Sequence, residues 1–130
     1  MVGDVIGDFI IQLKNAGAVN KKNISVPYSK LRHAVADKLV MAGFVEKVST
    51  KGLVAKKTLE VALKFEHGTH AIRGVKRISK PGRRLYTKVA DIHRVKFGQG
   101  KLILSTPAGI LTNDEARTAN VGGEQLFIIW

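Results

Sequence analysis

Apolar residues recur first at helical spacing and later in alternation. Over residues 4–16, Val5, Ile6, Phe9, Ile10 and Leu13 fall on one helical face, which predicts a core-facing helix capped by Asp4 and stopped by Gly17. Residues 23–27 alternate like a strand and end at Pro27, which cannot extend it. Ser29 stands where a cap belongs for a second helix over residues 30–41. In that helix Leu31, Ala34, Val35, Leu39 and Ala42 are expected to turn inward and Lys30, Arg32 and Lys38 outward, with Gly43 closing it. Residues 44–48 and 58–65 then predict two antiparallel strands joined by the basic, glycine-containing turn at 50–57.

Helical periodicity fades after that point. His67-Gly68-Thr69-His70 carries no periodic apolar pattern and reads as a junction, so lobes of 1–67 and 68–130 are expected. Residues 75–79 predict a strand, Pro81-Gly82 a type II-like turn and 85–87 a return strand, which together project Lys80, Arg83 and Arg84 from a hairpin tip. One short helical turn is expected at 89–95, before Gly98-Gln99-Gly100. Leu102-Ile103-Leu104 is too short for a helix and apolar enough for a buried strand, and it runs into Ser105 and Thr106 before Pro107 and Gly109 stop it. A further strand follows at 109–111, and Thr112-Asn113 then caps a helix over 114–119, with Asp114 and Glu115 suited to the positive end of its dipole. Gly122-Gly123 is expected to break that helix. The final stretch, EQLFIIW, is too apolar for an exposed edge and is expected at the centre of the second lobe's sheet. The fold class is therefore α+β, with an N-terminal α-β-α-β-β lobe and a mostly β C-terminal lobe carrying one short helix.

Charge changes this picture. The 130 residues carry a net +12, and residues 73–101 alone hold ten Lys or Arg against one acid, Asp91. A folded chain of 45% hydrophobic and 25% charged residues with that excess calls for a polyanionic partner, nucleic acid before an anionic membrane. No apolar run approaches the roughly 20 residues that span a bilayer, and Met1-Val2-Gly3-Asp4 has no basic leader, so a cytosolic protein is expected. With no Cys, disulfides and thiol catalysis are excluded and zinc is left only His and carboxylate ligands. His67 and His70, three apart, read better as solvated linker residues than as a metal site. Ser105 lacks a nucleophile elbow and a base, so no catalytic set is assigned and no small-molecule substrate or cofactor is expected.

The binding chemistry converges on the second lobe. Ser105 and Thr106 are short neutral groups suited to reading a base edge, a ribose or a phosphate. Lys80, Arg83 and Arg84 form a phosphate clamp beside Tyr86, an aromatic suited to base stacking.

In this half the chain resembles one family, the eighth protein of the bacterial small ribosomal subunit. The resemblance is carried by the run from Arg77 through Ser79-Lys80-Pro81-Gly82-Arg83-Arg84 to Tyr86. Further along, it is carried by Ser105-Thr106 with Gly109, by Thr112-Asn113-Asp114-Glu115-Ala116-Arg117, and by Gly122-Gly123-Glu124. The first lobe is similar through Lys14-Asn15-Ala16, Pro27-Tyr28-Ser29-Lys30-Leu31 and Gly43-Phe44-Val45. The resemblance implies primary binding to the central domain of 16S ribosomal RNA and a part in building the platform of the 30S subunit. It also implies contacts with neighbouring small-subunit proteins, the fifth and twelfth among them, and repression of the protein's own operon through its messenger RNA. The RNA contacts it implies are Ser105, Thr106, Tyr86, Gly123 and Glu124, with Lys30 and Lys14 from the first lobe, and the basic segment adds Arg77, Lys80 and Arg84 to the expected contacts. An acid such as Glu124 repels phosphate, so its part in that set is to accept from a base amino group or to orient Tyr86. The chain departs from the family pattern in two places, the loop at 107–108 and position 14. Pro107 and Ala108 replace a serine and a lysine, and Lys14 stands where arginine is usual, keeping charge and losing the fork geometry. The alternative class is a general nucleic-acid binder or repressor acting outside the ribosome.

Overall fold

The computed structural model describes residues 5–53, 56–92 and 100–130. Its contacts divide the chain into two units, one running Val5–Arg73 and the other including Gly74–Trp130. The class is α+β.

The first unit follows the expected order: α1 (Val5–Ala18), β1 (Asn23–Pro27), α2 (Lys30–Ala42), β2 (Val45–Lys51) and β3 (Thr58–Leu63), then a small hairpin of β4 (Phe65–Glu66) and β5 (Thr69–His70). The three longer strands form an antiparallel sheet in the order β1-β3-β2. Alternation decides what each strand buries: Ile24 and Val26 from β1, Leu59, Val61 and Leu63 from β3. The helices cover that side, α1 on β1 and α2 on β2 and β3, and contribute Phe9, Ile10, Leu13, Val35 and Leu39, all almost fully buried. Each such side chain is worth about 1.5–3 kcal/mol on leaving water.

Local cap chemistry sets α2 as the sequence indicates. The Ser29 hydroxyl accepts from the Arg32 N–H at 3.3 Å, and Gly43 takes the left-handed conformation, φ 88°, with its N–H donating to the carbonyls of Leu39 and Val40. Leu31, the second residue of α2, departs from expectation and is exposed. Gly17 does not stop α1, which runs on to Ala18. Its reason is tertiary: a Cβ there would lie 2.5 Å from the Nδ1 of His70.

His70 is accordingly no solvated linker residue. It is buried, its ring meets Phe65 edge-on with centroids 5.3 Å apart, and its Nδ1 accepts from the Ile72 N–H at 3.2 Å. His67 and Gly68, both at positive φ, form the two-residue turn between β4 and β5. The boundary drawn from sequence at 67–68 falls at the tip of this hairpin, whereas the contact-based division lies after Arg73.

The second unit contains β6 (Val75–Arg77), β7 (Tyr86–Thr87), a 3-10 turn (Val89–Asp91), β8 (Lys101–Thr106), β9 (Gly109–Thr112), α3 (Asn113–Ala119) and β10 (Gly123–Ile129). The last strand is central, as its apolar composition indicates: it pairs with β8 on one side and with both β6 and β7 on the other, and β9 lies beyond β8. Strand β10 bulges at Leu126, where the register shifts between Gln125 and Phe127. One sheet face packs Leu102, Leu104 and Ile128 with Ile92 and with Ala116 of α3.

A capping box opens α3. The Thr112 hydroxyl accepts from the Glu115 N–H at 3.3 Å and the Glu115 carboxylate accepts from the Thr112 N–H at 3.1 Å. Asn120, left-handed at φ 57°, ends the helix before the two glycines expected to do so. Those glycines answer to crowding instead: a Cβ would lie 2.3 Å from the Thr87 carbonyl oxygen at Gly122 and 2.2 Å from the Ser105 carbonyl oxygen at Gly123. The Asp4 cap, the middle of the 50–57 turn and the helical turn beyond Ile92 lie outside the described residues.

Candidate nucleic-acid interface

Strands β6 and β7 are expected to pair with each other; they do not. Both use the same edge of β10, β6 opposite Ile129, Ile128 and Phe127 and β7 opposite Glu124 and Gly123. The chain between them, residues 78–85, therefore leaves the sheet and returns to the same edge. Its base is fastened by Ser79, which is buried. The Ser79 hydroxyl accepts from the Leu85 N–H at 2.9 Å and donates to the Leu85 carbonyl at 3.2 Å. The Ser79 N–H donates to the Gln125 carbonyl and the Gln125 N–H to the Leu85 carbonyl. At the tip, Lys80 and Arg83 exchange backbone bonds of 2.8 and 2.9 Å around Pro81-Gly82. Gly82 is not among the glycines with positive φ, so the turn is not type II. Lys80, Arg83 and Arg84 are all exposed, and the anchored base holds their backbone.

Register brings the neutral groups beside this loop. Tyr86 lies opposite Glu124, Glu124 opposite Ser105, and Ser105 opposite Ile110. Directly opposed residues in antiparallel strands share a face, so Tyr86, Glu124, Ser105 and Ile110 form one row across four strands. Tyr86 is 67% exposed, an aromatic surface open for stacking. The Glu124 side chain is only 13% exposed and its carboxylate meets the Arg84 guanidinium: Nη1 donates to Oε1 and Oε2, each at 3.3 Å. Gly123 lets the β10 backbone approach Ser105 and Thr106 closely.

Thr106 stands apart from this row. Successive strand residues face opposite ways, and its hydroxyl donates to the Gly109 carbonyl at 2.7 Å and accepts from the Ala108 N–H at 3.1 Å. It builds the two-residue turn at Pro107-Ala108, in which Gly109 adopts φ 110°. Arg77 is likewise held inward. It is half-buried, its Nε donates to the Ser79 carbonyl at 2.7 Å, and burial lowers its pKa from the ordinary arginine value. Lys14 and Lys30 belong to the first unit, where both are exposed, Lys14 on α1 and Lys30 at the first position of α2.

The structure thus groups Tyr86, Arg84, Glu124, Gly123 and Ser105 and sets Lys80 on the loop beside them. Sequence reasoning gives Ser79 and Ile110 no part in the site; their places become visible only once the hydrogen bonds and the strand register are known. The arrangement offers cations on an exposed loop, one open aromatic ring, one free hydroxyl and one recessed acceptor, a set suited to phosphate contact with base readout.

Residues 4–130 match the family described as Ribosomal protein S8. Similar curated proteins include the "Small ribosomal subunit protein uS8" of Dictyoglomus turgidum, 40% identical over 129 residues covering 99% of this chain and 98% of that protein. That of Mycoplasma mycoides subsp. mycoides is 42% identical with both chains fully covered. That of Nitrobacter hamburgensis is 42% identical over 98% of this chain and 97% of its own.

Proposed function

The chain belongs to the ribosomal protein S8 family, and on that footing we propose that it binds the central domain of 16S ribosomal RNA through its second unit and helps to build the platform of the 30S subunit. As a member of that family it is a structural component of the small ribosomal subunit, works in the cytoplasm within the ribosome, and is not an enzyme. The observation that supports the finer reading is the row Tyr86–Glu124–Ser105 beside the exposed loop of Lys80, Arg83 and Arg84. The loop supplies affinity without sequence information and the row supplies discrimination without adding positive charge. Lys14 and Lys30 add exposed cations from the first unit. Neighbouring small-subunit proteins, the fifth and twelfth among them, are proposed partners, and a similar RNA structure in the protein's own operon messenger is a second proposed target.

Filter binding of the full chain to a 16S central-domain transcript tests the reading, with a scrambled duplex of equal length as the control. Selective retention of the transcript is expected, with affinity falling steeply as salt rises. Equal retention of both RNAs would remove the central-domain assignment.

A further inference from the structure

We propose that Glu124 determines specificity by holding Arg84, so that the basic loop does not grip RNA phosphates indiscriminately. This rests on the RNA-binding reading of the second unit.

The two partners are held very differently. The Glu124 side chain is 13% exposed and its backbone is fixed between Tyr86 and Ser105, whereas the Arg84 side chain is 59% exposed on the loop. The acid is the fixed partner and the cation the movable one. Only one guanidinium nitrogen, Nη1, meets the carboxylate, and both contacts are 3.3 Å long. That is not the fork-to-fork geometry of a strong arginine–carboxylate pair. Pairs with one exposed partner are weak, so a phosphate can draw Arg84 away.

Drawing it away has a consequence that depends on which RNA is bound. With Arg84 on a phosphate, the recessed carboxylate loses its counter-charge and must find another donor or remain unsatisfied. A nucleic-acid backbone offers it only negative charge. A base offers an exocyclic amino group: N4 of cytosine, N6 of adenine or N2 of guanine. Only an RNA that brings such a group beside Ser105 and Tyr86 compensates for the release of Arg84. Glu124 thereby converts a charge contact that any RNA could make into one that a fitted RNA makes better, by penalising the wrong partner as well as rewarding the right one.

The test is a cycle of Glu124→Gln and Arg84→Ala, singly and together, in the full chain. Each variant is titrated by filter binding against a 16S central-domain transcript and a scrambled duplex. Glu124→Gln preserves shape and removes the charge. Its affinity for the scrambled duplex is expected to rise about two- to fivefold, the range a weak pair allows. Its salt dependence should steepen by about one unit as a guanidinium becomes free for phosphate, and its preference for the transcript should fall. In the Arg84→Ala background the same substitution should leave duplex affinity unchanged. An unchanged duplex affinity in Glu124→Gln overturns the proposal. A rise that persists without Arg84 overturns it too, because the carboxylate would then act by plain repulsion. If the unmodified protein discriminates but the cycle fails, this inference alone is wrong; if the unmodified protein does not discriminate, the RNA-binding reading fails and takes this inference with it.

Discussion

The hydroxyl of Thr106 donates to the carbonyl of Gly109 at 2.7 Å, so the turn between β8 and β9 is closed by the side chain of the residue that enters it. The same oxygen accepts from the Ala108 N–H. The neighbouring hydroxyl of Ser105 faces the other way, in the row with Glu124 and Tyr86. Two adjacent hydroxyls that look equivalent in the sequence thus have separate work.

This separation is measurable. Thr106→Val keeps the shape and removes both turn bonds, and should lower stability by about 0.5–1.5 kcal/mol in urea unfolding. Ser105→Ala should change stability less and reduce affinity for the central-domain transcript up to about tenfold, from one neutral bond worth roughly 0.5–1.5 kcal/mol. Unaltered RNA selectivity in Ser105→Ala would take that hydroxyl out of the binding site.

Gly17 provides a test with an inverted sign. Replacing a helical glycine by alanine ordinarily stabilises, by up to about 0.5–1 kcal/mol in a helix interior and by less near an end such as this one, one residue before Ala18. Here the new methyl would enter the space of the His70 ring, 2.5 Å from Nδ1, and overpacking of this kind costs about 1–3 kcal/mol. Gly17→Ala should therefore lower the thermal midpoint, and the loss should largely vanish in a His70→Ala background. A Gly17→Ala protein as stable as the original would mean that the ring moves aside without cost.

Asp114 makes the stability of the second unit depend on pH. Its carboxylate bonds Lys101, and Arg117 Nη2 donates to its other oxygen at 2.5 Å. Lys101 first and then Arg117 hold its pKa below the ordinary aspartate value, against a smaller opposing effect of burial. A lowered folded-state pKa gives stability that is complete above the unfolded value, roughly 4, and is lost as pH falls through the folded value. The side chain is 48% exposed, so solvent screening keeps the effect small. Asp114→Asn should flatten the acid limb of a stability–pH profile and leave its slope near neutrality alone; an unchanged acid limb would assign that limb to other carboxylates.

Arg83, at the loop tip with no acidic partner in the described structure, should behave as a simple phosphate contact. Arg83→Ala should lower affinity for the transcript and the scrambled duplex alike and reduce the salt slope by about one unit. Selective loss of transcript binding would make Arg83 a base contact instead.

Sequence was most informative where the chemistry is local. The Ser29 cap, the Gly43 stop and the Thr112–Glu115 box each depend on residues within one helical turn, and the apolar run that follows Glu124 and Gln125 in EQLFIIW marked a central strand. It was least informative where a residue answers to a distant one. Gly17, Gly122 and Gly123 look like helix stops, yet they leave room for His70, Thr87 and Ser105, all remote in the chain. Strands β6 and β7 look like a hairpin because they are close in sequence, but each pairs with β10 and not with the other. Tyr86, Glu124 and Ser105 could each be nominated from the family motif, while their alignment in one row required the register.

Strand β10 has a further consequence, for the order in which the molecule can come into being. Every strand it joins, β6, β7 and β8, precedes it in the chain, so on a translating ribosome those segments wait without their partner until residues 123–129 emerge. The first unit, whose sheet closes within Asn23–Leu63, is free to fold long before. Maturation can therefore be staged: a first unit able to assemble early, and a proposed recognition surface that does not exist until its keystone strand has been made.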